Sequence, residues 1–111
     1  MFSAQFRLRN PKQIAQVFQV GKYIHGKYVF IKYLPNEKTY PRVAISVSTK
    51  FFKQAVKRNR IKRLLRESIK LFNFKKIPSF DILIITKKTL VANIALSEIQ
   101  KDINNIFGHL S

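Results

Sequence analysis

Apolar positions along the chain follow two different periods. Ile14, Val17 and Phe18 recur at spacings of three and four, which puts them on one face of a helix. Asn10 suits the N-cap of that helix and Pro11 its first turn. Gln13 stands where a capping box takes Glu or Gln, and Gly21 supplies the stop. Lys27 to Leu34 is rich in aromatic and β-branched residues and reads as a strand, with room for short pairing around Tyr23 to His25. Pro35 to Pro41 reads as a hairpin loop. In the strand Arg42 to Ser48, Val43, Ile45 and Val47 alternate against Ala44, Ser46 and Ser48. Phe51 to Phe74 returns to helical spacing, as a short turn and then a long helix whose inner stripe is Ile61, Leu64, Leu65, Ser68 and Phe72. Phe80 to Thr86 is almost continuously apolar, as in a strand buried on both faces. A last helix starts near Ser97, with Gln100 completing a capping-box pattern and Ile99, Ile103, Ile106 and Phe107 facing inward.

The order is helix, two or three strands, helix, strand, helix. It predicts an α+β fold, a small sandwich in which a sheet of about four strands carries three helices. Residues 1–111 suit a single domain. The hydrophobic content of 46% supplies a modest core, so wholesale disorder is not expected. The apolar runs fall far short of the roughly 20 residues that span a bilayer. Arg7, Arg9 and Lys12 interrupt any signal-peptide core, and without cysteine there is no disulfide framework or thiolate metal site. These features suit a cytoplasmic protein.

Charge changes the picture most. The chain has 22 Lys and Arg against 5 Asp and Glu, a net charge of +17. Such a chain repels itself, and a polyanion relieves the repulsion. Nucleic acid is the leading partner, because neutralising phosphates releases counterions; an anionic membrane surface is the rival. The long helix carries the pattern KRNRIKRLLRE from Lys57. At about 100° per residue, Asn59, Lys62, Arg63, Arg66 and Lys70 gather opposite the apolar stripe, with Arg58 and Arg60 on its flanks. A solvated helix face interleaves opposite charges, yet Glu67 is the only acid among these positions. An external anion explains the crowding better. Arginine suits it, because the guanidinium fork donates two hydrogen bonds to one phosphate. Asn59 is read both as a direct RNA contact and as a helix cap, uses that are compatible.

The stretch RVAISVSTKFFKQAVKRNRIKRLLRE, Arg42 to Glu67, resembles the signature region of the bacterial ribonuclease P protein family. The resemblance continues in RLRNPKQIAQVF from Arg7, in FDILIITKK from Phe80 and in ALSE from Ala95, so it covers nearly the whole chain in order. RNR alone is a weak motif, while RNRxKRLxRE after such a strand is specific. Thr49 departs from the family pattern, which often has a first lysine there, and this puts one backbone contact in doubt.

The resemblance implies that the RNR helix and its adjoining loop contact a catalytic RNA through Lys50, Lys53, Arg58, Asn59, Arg60, Lys62, Arg63 and Arg66. It also implies a cleft for the single-stranded 5′ leader of precursor tRNA, drawing on Ile14 and Phe18 and on Tyr28, Phe30 and Tyr33 of the second strand. Which face of that strand is wet stays open, and Phe18 and Phe30 are also read as plain core. Aromatic rings over a sheet stack bases with little regard to sequence, as a variable leader needs. The family also implies a left-handed βαβ crossover, against the usual right-handed rule.

A catalytic apparatus is not expected in the chain. Glu37, Glu67, Asp81, Glu98 and Asp102 are scattered, His25 and His109 are isolated, and no phosphate-binding glycine loop, nucleophile elbow or zinc spacing occurs. The resemblance implies that catalysis, with Mg2+, belongs to the RNA subunit, that the protein alone is inactive, and that no obligate protein partner is needed. A small basic structural ribosomal protein is the alternative, although the chain has no long basic tail.

If the cationic helix face docks on RNA through roughly four to six phosphates, the log–log slope of affinity against salt should be about −3 to −5. A flat salt response in a binding titration is incompatible with that docking.

Overall fold

The structure is a computed structural model and describes residues 4–73 and 76–110. The expected helix end at Phe74 lies outside the described residues. A 3-10 turn at Ala4–Phe6 precedes α1 (Pro11–Val20), β1 (Lys22–His25), β2 (Val29–Pro35) and β3 (Arg42–Ser46). α2 (Ala55–Phe72), β4 (Phe80–Thr86) and α3 (Leu96–Gly108) follow. The strands form one mixed sheet in the order β1-β2-β4-β3. β1 and β4 run antiparallel to β2, while β3 runs parallel to β4 and reaches it through α2.

The expected hairpin between β2 and β3 does not form, because β4 lies between them. β4 is apolar on both faces, with Ile82, Leu83 and Ile84 all buried, so the most water is excluded when it takes an inner position. The hairpin partner of β2 is β1, joined to it through Gly26 to Tyr28, and β2 begins at Val29 instead of Lys27.

Side-chain alternation divides the core in two. Val29, Ile31, Val43, Ile82 and Ile84 point to the face covered by α2 and α3. There they meet Ile61, Leu65 and Ile69 of α2 and Ile99, Ile103, Ile106 and Phe107 of α3. Each such side chain, fully buried, contributes about 1.5–3 kcal/mol. Leu83 points the other way and packs with Leu8 and with Val17 of α1, flanked by Ile14, Leu34, Ala44 and Ile85. Among the described residues, α1 is thus the sole helix of the smaller cluster. No helix among the described residues is long and apolar enough to cross a membrane.

Local signals placed the helix ends unevenly. Asn10 caps α1 as expected, its Oδ1 accepting from the amides of Lys12 (2.9 Å) and Gln13 (3.3 Å). Gly21 ends α1 in extended conformation, and a Cβ there would overlap the Val17 carbonyl. α3 begins at Leu96 without a side-chain cap. Gln100 serves instead to bind α3 to α2, its Nε2 donating to the Ser68 carbonyl (2.9 Å).

One buried carboxylate locks the β1–β2 turn to α3. Asp102 accepts from the backbone amides of Lys27 (2.7 Å), Tyr28 (2.8 Å) and Val29 (3.2 Å). Gly26 allows the approach, since a Cβ there would overlap Ile106 and the Asp102 carboxylate. Asp102→Ala strands these donors, so denaturant unfolding should show a loss of about 3 kcal/mol. An unchanged midpoint would remove Asp102 from the framework.

Candidate nucleic-acid interface

The turn before α2 is built by side chains that bind its own backbone. Ser48 Oγ accepts from the amides of Lys50 (3.2 Å) and Phe51 (3.3 Å), and buried Phe52 anchors the turn in the main core. Arg58 closes it by donating through one Nη to the carbonyls of Phe52 and Lys53, both at 2.8 Å. Lys50 and Lys53 are left exposed on a braced loop, beside exposed Thr49.

Arg60 is also engaged internally. Its Nε donates to the Ala92 carbonyl (2.6 Å) and its Nη2 to the Ile94 carbonyl (3.1 Å), tying α2 to the segment that leads into α3. Two of the expected RNA contacts, Arg58 and Arg60, therefore also brace the fold. Asn59 is not a cap: α2 starts at Ala55 behind Gln54, and Asn59 lies exposed one turn inside it.

Lys62, Arg63 and Arg66 have neither hydrogen bond nor ion pair through their side chains among the described residues; Arg63 is exposed and the other two are half-buried. Ile61, Leu65, Ser68 and Ile69 occupy the buried stripe of the same helix, so the cations stand clear of the core. Among the described residues the ion pair is Arg42 with Asp81 (2.8 Å), on neighbouring strands. Glu67 lies beside Arg63, Arg66 and Lys70, but among the described residues no carboxylate forms an ion pair with the cations of α2. Crowding of like charges on one edge costs stability in the compact state.

The α1 side of the sheet presents a second surface of different chemistry. Pro11, Ile14, Ala15, Phe18, Ser46 and Leu83 line a shallow, mostly apolar cleft of about 410 Å³. Phe18 is 51% exposed, so it is no core residue. Lys32 reaches across, donating to the Phe18 carbonyl (2.6 Å) and standing 4.3 Å from the ring centroid. Phe30 pairs with Ile85 and His25 in register and shares this face. Of the expected leader-binding set, Ile14, Phe18 and Phe30 come to one side.

Tyr28 and Tyr33 do not join them, because both pack against the main core on the other face. Tyr28 donates to Glu98 of α3 (2.7 Å) and Tyr33 meets Phe80 edge-on at 5.0 Å. Lys27 lies over the Tyr28 ring, and its ammonium is held above its ordinary pKa chiefly by that phenol, with Glu98 and Asp102 adding.

The wet face holds residues that the sequence reading did not single out as binding. Tyr23 and His25 of β1 are exposed and stack edge-on at 4.9 Å, and His25 meets Phe30 at 5.3 Å. With Phe18 and Lys32 they add rings and a cation beyond the cleft. The signal was present as the alternation Tyr23–His25, but its meaning depends on the cross-strand register.

Comparison with known proteins identifies the family and agrees with the fold. The family model described as Ribonuclease P matches residues 2–111. The ribonuclease P protein component of Photorhabdus laumondii is 36% identical over 99 residues, covering 87% of this chain and 82% of that protein. Among solved structures, the RNase P protein of Thermotoga maritima superposes with a TM-score of 0.83 at 28% identity, over 95% of this chain and 100% of that one. The Staphylococcus aureus RNase P protein gives 0.81 at 25% identity, over 94% of each chain.

The two arginine types separate in one experiment. Arg63→Ala should leave thermal unfolding unchanged and weaken RNA binding by about 1–3 kcal/mol. Arg60→Ala should also lower stability, by about 1–3 kcal/mol, since its loop carbonyls lose their donor. Equal melting temperatures for wild type and both variants would deny Arg60 its bracing role.

Proposed function

The chain belongs to the ribonuclease P protein family, and we propose that it binds the catalytic RNA of ribonuclease P along α2 and the 5′ leader of precursor tRNA across α1 and the sheet. The family's general role is removal of the 5′ extension in tRNA maturation, and this chain serves as a protein subunit in it. The observation that carries the finer reading is the pairing of a cationic helix edge, without ion pairs among the described residues, with an open, mostly apolar cleft at Phe18 on the other side of the sheet.

Physical chemistry gives each surface its task. Lys62, Arg63 and Arg66 meet phosphates of a structured RNA, with Lys50, Lys53 and Asn59 at the near end. Binding there releases counterions, which supplies affinity without reading sequence. Phe18, Phe30 and Lys32 meet a flexible single strand, since each base offers a π-face and each linkage a charge. A protein lying between two polyanions screens their repulsion and so raises the affinity of the RNA for its substrate and for magnesium.

The cleavage chemistry is assigned to the RNA partner, which holds Mg2+ in this reading. This chain's carboxylates are poorly disposed for that ion: Asp81 is engaged by Arg42 and Asn36, Asp102 by backbone amides and Glu98 by Tyr28. No group of three or more His, Asp or Glu comes together among the described residues. No step of hydrolysis is assigned to the protein's side chains, and the site of action is the cytoplasm, where tRNA precursors are processed.

Reconstitution tests the proposal. Adding the protein to a candidate catalytic RNA at low magnesium should restore 5′ maturation of precursor tRNA, while RNA-free protein should cleave nothing. Phe18→Ala should keep its stability within about 1 kcal/mol, far less than the 3–5 kcal/mol of a core phenylalanine, and lose affinity for leader-bearing substrate by about 1–3 kcal/mol. Cleavage by the pure protein, or indifference of the RNA to its addition, would reject the assignment.

A further inference from the structure

β3 is an outer strand, and its free edge is covered by the segment leading into α1. Arg7 bridges Val43 in parallel fashion, and the Leu8 amide donates to the Val43 carbonyl (2.9 Å). Phe6 and Leu8 bury their side chains in the two core clusters on either side, which fixes the segment in place. Arg7 and Arg9 are thereby brought to a cavity of about 340 Å³ at the sheet edge. Lys62 and Arg66 of α2 join its lining, together with β3 and Ile14 of α1.

Four cations and no carboxylate line this cavity. Arg9, Lys62 and Arg66 have no hydrogen-bonded or ionic partner through their side chains among the described residues. Arg7 Nε is buried without a hydrogen-bond partner. A buried guanidinium N–H without an acceptor is costly, and four like charges around one cavity add repulsion. A phosphate answers both, offering several acceptors and a negative charge to forked donors.

Continuity indicates what kind of phosphate. Ile14 lines both this cavity and the apolar cleft beside Phe18. On the other side, Arg7 and Arg66 also line a groove along α2 with Arg63, Lys70 and a single acid, Glu67, so that four cations face one carboxylate there. The cavity is therefore a junction between a base-stacking surface and a cationic one, a path suited to a polymer that alternates rings and charges.

We propose that Arg7, Arg9, Lys62 and Arg66 form a phosphodiester clamp, gripping the backbone of the single-stranded leader where it passes from the α1 cleft round the β3 edge toward α2. The proposal rests on the reading that the α1 cleft takes a leader, and it adds N-terminal arginines outside the RNR helix to the site.

The test uses reconstituted holoenzyme and precursor tRNAs carrying one neutral methylphosphonate at each leader linkage in turn, with leaderless tRNA as reference. Wild type should lose about tenfold in affinity at one or two adjacent linkages, as expected for one charge-assisted contact. Arg7→Gln/Arg9→Gln should lose a similar factor with the unmodified leader and become insensitive to modification there. Thermal unfolding monitors the fold; should Arg7→Gln fail to fold, exposed Arg9→Gln combined with Lys62→Gln carries the same comparison. A position-dependent loss that persists in the variants overturns the clamp. So does an equal loss with leaderless tRNA, which would assign these residues to other RNA contacts. If wild type shows no preference for leader-bearing substrate, the cleft reading itself fails, a result distinct from a preference that these variants leave intact.

Discussion

The architecture depends on β4 being apolar on both faces. A strand with Ile82, Leu83 and Ile84 all buried needs neighbours at both edges and cover above and below. β2 and β3 supply the edges, α2 and α3 cover one face, and α1 with the segment through Leu8 covers part of the other. The cover is unequal. Two helices seal one face, while a single ten-residue helix leaves the sheet open beside it. That open remainder is the cleft at Phe18, so the apolar demand of one strand produces both the core and the exposed surface where a single strand can lie.

The excess positive charge is distributed on a similar logic. A few cations are consumed in holding the molecule together: Arg42 by Asp81, Arg58 by the turn before α2, Arg60 by the segment before α3 and Lys32 by the end of α1. The arginines among them mostly grip backbone carbonyls, which need donors and cost no carboxylate. The others on α2 keep their charge available. With three of five acids already engaged by Arg42, backbone amides and Tyr28, little negative charge remains to quench them. A polyanionic partner completes the electrostatics of such a surface.

These two uses of arginine meet in the RNR stretch. Arg58 and Arg60 set the approach of α2 to its neighbours, Asn59 points outward, and the next turns present Lys62, Arg63 and Arg66. Part of the motif builds the platform and part stands on it. An RNA surface read rigidly through phosphates benefits from donors held by a fixed helix, because less side-chain and backbone freedom is lost on binding.

By itself the sequence determined what depends on neighbours close along the chain. Apolar periods of three to four and of two located the helices and strands, Asn10 and Gly21 marked the ends of α1, and the cation pattern with its resemblance singled out α2 as the helix proposed to bind RNA. The tertiary structure decided what depends on residues far apart in sequence. β4 entered between β2 and β3, although β2 and β3 are adjacent along the chain. The register to β1 and β4 showed which face of β2 is wet, placing Phe30 on the same side as the cleft and Tyr28 and Tyr33 on the opposite one. Arg60 found its acceptors more than thirty residues away, and Arg7 came to line one groove with Arg66 at the sheet edge. Local spacing records which side of an element is apolar. It carries no record of which carbonyl, ring or charge that element will face, because packing the whole chain around β4 chooses those partners.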